Sequence, residues 1–310
     1  MAQKMSVFVV GFCCLLFILA GPAGAQTADP PTQGQSPAPE QPSNLTLWNF
    51  FTEGWDQQWT HRDTPGGAPD MALIHVTTNF LEREFRFDSY QQQNLSSDSN
   101  KATYFTDALV AYGINRRFML EVVSNYEWKD PKASDNINGS GGALVGRFQL
   151  VDIPGSSYAF QVKVSSPNVG IGNQQTTFSP SIAGWQDLTG LGLKRVGLYY
   201  SLTEDTYAGP AAAGSKRNDL LYDVSLAKTW TEKTTPLFGN FTTFVELYST
   251  TNLDGPSSDR GLSYSEVNVT PAFRFDLTHN NTLMGGIDFP VSSPHDFTKT
   301  FRLTYIYRFE

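Results

Sequence analysis

Residues 118–128 read Phe118-Met119-Leu120-Glu121-Val122-Val123-Ser124-Asn125-Tyr126-Glu127-Trp128. Phe118, Leu120, Val122, Tyr126 and Trp128 share one parity, and Met119, Glu121, Val123, Asn125 and Glu127 share the other. Successive side chains of a β-strand point to opposite faces, so the stretch predicts a strand with one greasy and one wet side. A helix would instead space its apolar residues three and four apart.

The same period returns along the chain. In 157–166, Tyr158, Phe160, Val162 and Val164 alternate with Ala159, Gln161, Lys163 and Ser165. In 265–277, Val267, Val269, Phe273 and Phe275 oppose Glu266, Asn268, Thr270, Arg274 and Asp276. The last run sets Phe301, Leu303, Tyr305, Tyr307 and Phe309 against Thr300, Arg302, Thr304 and Arg308. Weaker runs lie near 72–88, 103–114, 141–152, 177–188, 194–202, 219–230, 240–250 and 281–291, which brings the expected strands to twelve. The first of these changes apolar phase between Phe80 and Phe85, as a β-bulge would cause.

The connections give the architecture. Long polar ones around 89–102, 129–140, 167–176, 203–218 and 251–264 alternate with tight ones around 115–116, 153–156, 189–193 and 278–280. Two depart from their class: 231–239 is long for a turn, and 292–297 is short for a loop. Tyr112, Tyr126, Trp128, Trp185, Tyr200, Trp230, Tyr305, Tyr307 and Phe309 fall near predicted strand ends, where an interfacial girdle would sit. Loop asymmetry, aromatic ends and strands of about ten residues predict an all-β, antiparallel, closed transmembrane β-barrel of about twelve strands rather than a soluble sandwich. The composition, 40% hydrophobic and 17% charged, does not argue against this, because only alternate residues of a barrel face lipid.

The N-terminal region divides in three before the barrel at 71–310. Lys4, the apolar run Val7–Ala20 and Pro22-Ala23-Gly24-Ala25 read as a signal peptide over 1–25, cleaved after Ala25. Cys13 and Cys14 both lie inside it, so a mature chain would have no disulfide, thiolate metal site or Cys nucleophile. Residues 26–43, rich in Pro, Gln, Ser and Ala, read as a disordered linker. Within 44–70, Trp48, Phe51, Trp55 and Trp59 recur at helical spacing, which predicts a short amphipathic helix over 45–60. Ser43 or Asn44 would cap it, and Thr64-Pro65-Gly66-Gly67 would end the segment. Its aromatic face could plug the barrel mouth, lie at the membrane surface or belong to the tail.

If the greasy parity meets lipid, the other parity faces the lumen. It would present Glu121, Arg147, Lys163, Arg195, Asp223, Glu266, Arg274 and Arg302, together with Asp107, Glu127, Gln149, Glu246, Asp288 and Arg308. Such charges either tune a polar pore or fill a narrow barrel as cross-strand ion pairs. No catalytic residue is expected. His61, His75, His279 and His295 stand in no His-x-Ser-Asn, His-x-x-x-His or Glu-x-x-His pattern, and no Gly-x-Ser-x-Gly elbow occurs. The reading is therefore of a non-enzyme with no cofactor and no metal; an outer-membrane lipid hydrolase is the enzymatic alternative. A net charge of −8 without a Lys/Arg cluster argues against a nucleic-acid partner.

Tyr112-Gly113-Ile114-Asn115-Arg116-Arg117-Phe118-Met119-Leu120 resembles the strand–turn–strand motif of the meta-pathway phenol-degradation transporter family of outer-membrane β-barrels. Phe160-Gln161-Val162-Lys163-Val164-Ser165-Ser166-Pro167, Pro180-Ser181-Ile182-Ala183 and the final strand are similar to further motifs of that family. The resemblance implies an outer-membrane channel or transporter for small, hydrophobic or aromatic compounds. A structural or adhesive barrel without a conducting pore is the alternative. The expected partners are outer-membrane lipid, a small-molecule solute and the barrel-assembly machinery. That machinery would read Tyr305, Tyr307 and Phe309, although Glu310 overhangs the usual terminal aromatic. The expected location is the outer membrane of a Gram-negative-type cell, after signal-directed export.

Overall fold

A computed structural model describes residues 44–60, 73–95, 101–129, 139–166, 175–208, 218–253, 265–293, 295 and 297–309. The expected signal and linker, the Thr64-Pro65-Gly66-Gly67 stretch and most of the long connections lie outside the described residues. Twelve antiparallel strands form. They are β1 (Arg83–Asn94), β2 (Ala102–Gly113), β3 (Phe118–Lys129), β4 (Gly139–Ile153), β5 (Ser156–Ser165) and β6 (Thr176–Asp187). The second half comprises β7 (Val196–Ala208), β8 (Asn218–Thr229), β9 (Gly239–Asn252), β10 (Ser265–Asp276), β11 (Asn281–Pro290) and β12 (Phe297–Arg308).

Each strand pairs with its sequence neighbours, and β1 also pairs with β12, from Glu84 opposite Arg308 to Gln92 opposite Thr300. Closure leaves no free edge, which a sheet surrounded by hydrocarbon requires. Strands of 10 to 15 residues rise about 33–50 Å, enough to cross the hydrocarbon layer at the usual barrel tilt. Side-chain parity sorts the two faces. Val122, Leu144 and Leu303 are more than half exposed on the outside, while Met119, Glu246, Thr270 and Asp288 are fully buried on the inside. The tight connections, including 114–117, 154–155 and 277–280, all lie at one end, hereafter the turn end. At Pro154-Gly155 the glycine takes φ +79°, a conformation that suits a tight turn with proline first.

Four expectations need correction. The strand expected over 72–88 begins only at Arg83, and Leu73–Glu82 is irregular chain inside the barrel. The phase change between Phe80 and Phe85 is not a bulge. Phe80 is buried within the lumen and Phe85 is on the outer face, so the change marks where the chain passes from lumen to wall. Residues 45–60 form turns and bends rather than a helix. Asn49 Oδ1 accepts the Thr46 N–H at 2.7 Å, and the Arg117 guanidinium takes the carbonyls of Thr46, Asn49 and Glu53, so local and tertiary bonds displace a helical ladder. Finally, Trp185, expected in the outer girdle, is fully buried in the lumen, because it shares the inward parity of Ser181 and Ala183.

Candidate functional site

Chain without a ladder still carries a donor and an acceptor at nearly every residue, and each needs a partner when buried. Within the lumen, Leu73–Glu82 finds these partners on side chains of the wall. Both Glu246 oxygens accept backbone N–H groups, from Ile74 at 3.2 Å and His75 at 3.1 Å. Thr77 N–H donates to Ser201 Oγ at 3.1 Å, and Ser201 in turn donates to Asp223 at 2.7 Å. Arg86 donates to the Leu73 carbonyl at 3.2 Å, and Arg147 donates to the Phe80 carbonyl at 2.9 Å. Asn79 Nδ2 donates to the Ser157 carbonyl at 3.2 Å, close to the turn end. The segment thus descends from mid-lumen at His75 to the turn end at Asn79.

Its apolar side chains are matched as well. Leu73, Val76 and Phe80 pack with Trp185, Tyr199, Ala227, Phe244 and Met284 in a single buried cluster. The Phe80 and Trp185 rings meet edge to face, 5.7 Å apart. Burying each such side chain contributes about 1.5–3 kcal/mol. At the upper end the His75 ring stacks on Tyr248 at 3.7 Å, and its Nε2 lies 3.0 Å from Asp288. Asp288 also accepts Thr270 Oγ1 at 2.7 Å and Arg302 Nε at 2.6 Å. Arg302 lies over the Tyr90 ring, 4.5 Å from its centre, and Tyr90 O–H donates to Asp107 at 2.8 Å.

Between this segment and the far ends of β3–β5 lies a cavity of about 360 Å³. The inner faces of β1 to β5 wall it, from Glu84 low on β1 to Asn125, Gly142 and Ser165 near the loop end. Its lining mixes acidic, basic and aliphatic side chains.

A second clasp holds Asn44–Thr60 at the turn end. Arg117, fully buried in the β2–β3 turn, donates from all three guanidinium nitrogens. Nε reaches the Glu53 carbonyl at 2.8 Å, Nη1 reaches those of Gln149 and Leu150 at 2.9 and 3.0 Å, and Nη2 reaches Asn49 Oδ1 at 2.7 Å. Burial, reinforced by neighbouring Arg116, lowers the Arg117 pKa from its ordinary value. Leu45 and Asp152 exchange backbone bonds of 3.0 and 2.8 Å, and Gln58 bridges to Asn115. Trp59 packs over Gly113, where an added Cβ would lie 2.4 Å from the indole, and its Nε1 donates to the Leu81 carbonyl at 2.8 Å. Arg83 lies against both the Trp59 and Tyr112 rings, at 4.8 and 4.5 Å.

The aromatic residues singled out in the sequence separate here. Trp48 is 98% exposed and Phe51 88% exposed, Trp55 is partly exposed, and only Trp59 is buried. Among the described residues, the chain that enters the lumen is Leu73–Glu82. Of the charged residues, Glu121, Arg147 and Lys163 line the cavity, and Arg147 bonds Gln161 at 2.8 Å and meets Glu121 at 3.5 Å. Arg302 and Asp223 belong to the anchors of the segment. Arg274 lies 3.5 Å from Asp276 nearer the turn end, and Glu266 pairs in register with Thr250 on β9. Arg195 is a correction: it sits in the turn before β7 with φ +57° and pairs with Glu232 outside the lumen. Sequence reasoning missed His75 and Arg117. It also missed Glu84, Arg86 and Asp88, although their alternation with Phe85 and Phe87 was there to be read. Among the described residues, no group of three or more His, Cys, Asp or Glu is placed to hold a metal.

No protein-family model matches the chain, and no curated protein matches it. Solved structures do. The COG4313 outer membrane channel from Pseudomonas putida F1 aligns over 81% of this chain and 100% of its own, with 12% identity and a TM-score of 0.52. The NanC porin aligns over 74% and 99%, with 13% identity and a TM-score of 0.50. The chain shares with both the fold of a closed outer-membrane barrel.

Proposed function

We propose that this protein is an outer-membrane channel for small molecules, closed toward the periplasm by Leu73–Glu82. One observation carries the reading: a lumen segment held by single side-chain bonds lies beneath a cavity of about 360 Å³ that reaches toward the loop end. A barrel needed only as an anchor could fill its lumen with wall side chains alone, as narrow barrels do. Here a separate piece of chain does the filling, and side-chain contacts of that kind can be exchanged without breaking the sheet. The shared fold with two outer-membrane channels supports the reading.

The loop end would face outward and the turn end would face the periplasm, as loop asymmetry in such barrels requires. The signal over 1–25 would direct export and be cleaved after Ala25. The solutes would be small hydrophobic or aromatic compounds, a class supported by the resemblance of Tyr112–Leu120 and Phe160–Pro167 to the phenol-degradation transporter family.

Liposome swelling with a solute panel tests the proposal. Vesicles carrying the protein should admit small aromatic alcohols and acids faster than sugars of similar mass. Swelling no faster than protein-free vesicles for every solute would leave a structural or adhesive barrel as the better reading.

A further inference from the structure

The stretch Leu45-Thr46-Leu47-Trp48-Asn49-Phe50-Phe51 of the rim piece carries no charge. Leu45 is fully buried, but Leu47 is half-exposed, and Trp48 and Phe51 stand almost entirely in the open. A Trp or Phe ring offers about 150–250 Å², so two bare rings this close form an apolar patch as large as most soluble surfaces tolerate. The polar groups of the same piece are engaged by the protein instead. Asn49 and Glu53 serve Arg117, Gln57 Oε1 accepts from Arg116 Nη1 at 2.6 Å, and Gln58 bridges to Asn115.

A row of rings joins this patch to the outer wall. Phe51 meets Phe50 edge to face at 5.1 Å, Phe50 meets Trp55 at 5.5 Å, and Trp55 lies 6.5 Å from Phe148. Phe148 stacks on Phe118 at 4.9 Å and has the opposite parity to the lumen-facing Arg147, so both rings belong to the lipid side of β3 and β4. At the same end, Tyr112, Tyr305 and Tyr307 are exposed on the lipid side, and Arg83 lies over the Tyr112 ring. Aromatic and basic groups in that mixture mark the level of lipid headgroups. We infer that the rim piece is a lipid-binding surface: Leu47, Trp48, Phe51 and Trp55 enter the phospholipid headgroup region beside β3 and β4. The occupant is a bilayer rather than a soluble partner, because the patch continues a wall that hydrocarbon already covers, and Trp favours that depth. This goes beyond the channel reading, since it needs the barrel to stand in a membrane and not to conduct. Arg117 and the Leu45–Asp152 pair hold the piece to the barrel independently, so Trp48 seats it on the bilayer without adding much to barrel stability.

The test reconstitutes the protein in phosphatidylcholine vesicles, with and without bromine on the upper acyl carbons, and compares it with Trp48→Phe. The difference between the two proteins isolates the emission of Trp48 from that of the other tryptophans, and the substitution keeps an apolar ring, so the fold is retained. Trp48 emission should be blue-shifted from that of an indole in water. It should lose most of its intensity in brominated vesicles and resist quenching by iodide. Emission at the wavelength of an indole in water, quenched by iodide and unchanged by bromine, overturns the inference. Shielding from both quenchers also overturns it, since that marks a protein surface, such as a second copy of this chain, over the patch.

Discussion

Two pieces of chain precede the wall of this barrel, and they are held by different kinds of bond. Asn44–Thr60 joins the turn end through paired backbone bonds at Leu45 and Asp152, a bridge at Gln58, and the fully buried Arg117 guanidinium. Among the described residues, Leu73–Glu82 has no such bridge to the wall before Glu82, whose carbonyl accepts the Gly113 N–H. It depends on separate side chains, chiefly Glu246, Ser201, Arg86 and Arg147, and on the buried packing of Leu73, Val76 and Phe80. A many-toothed clasp releases only as a whole, whereas single bonds worth about 1 kcal/mol each exchange one at a time. The rim piece is therefore tied to the wall by paired backbone bonds, whereas the lumen piece is held by side chains alone, polar and apolar, and can move without breaking a ladder.

The largest expected effect breaks the anchor alone. Arg117→Ala leaves the carbonyls of Glu53, Gln149 and Leu150 short of a charged donor. The rim piece should lose about 3 kcal/mol of local stability, a figure for hydrogen bonds to a charged group. Limited proteolysis should then cut within 44–60 about a hundredfold faster, as local opening energies imply. Single-channel conductance should not change. A rise in conductance matching the rise in cleavage would mean that the two pieces act as one.

A smaller effect is expected from Glu246→Gln, which tests the lumen piece. The carboxylate accepts from two backbone N–H groups, and an amide offers one acceptor and turns its own donors toward the other. The loss of about 1–1.5 kcal/mol should raise the frequency of open events about tenfold in planar bilayers, with the folded barrel retained. An unchanged open probability would remove Glu246 as a latch.

The wall was legible in the sequence because alternation leaves a mark at every second residue, and lipid and lumen sort by that parity. Trp185 shows how position can mislead where parity does not. It lies near a strand end like a girdle residue, yet shares the inward phase of Ser181 and Ala183. The lumen piece was not legible. Leu73, Val76 and Phe80 follow no strand period, and their partners Trp185, Tyr199 and Phe244 come from three separate strands. Which charges meet across a barrel depends on its stagger, so Asp288, Arg302 and His75 could not be joined from spacing alone. Arg117 stands next to a tight turn in the sequence with nothing to mark it as buried, and only tertiary structure shows it so.

The smallest effect belongs to one of the four aromatic residues expected as plug candidates. Trp48 is 98% exposed, so Trp48→Ala should change stability by no more than about 0.5 kcal/mol and leave conductance as it was. A clear gain in conductance would return the plugging role to the rim aromatics.

The most direct measurement ties the lumen piece to the wall. Thr77 N lies 3.1 Å from Ser201 Oγ, which brings the two residues within reach of a disulfide after Thr77→Cys and Ser201→Cys. Planar-bilayer recordings of this double variant should show openings under reducing conditions and none once oxidised, with dithiothreitol restoring them. Identical recordings in both states, with solute still passing through the locked barrel, would contradict a channel closed by Leu73–Glu82.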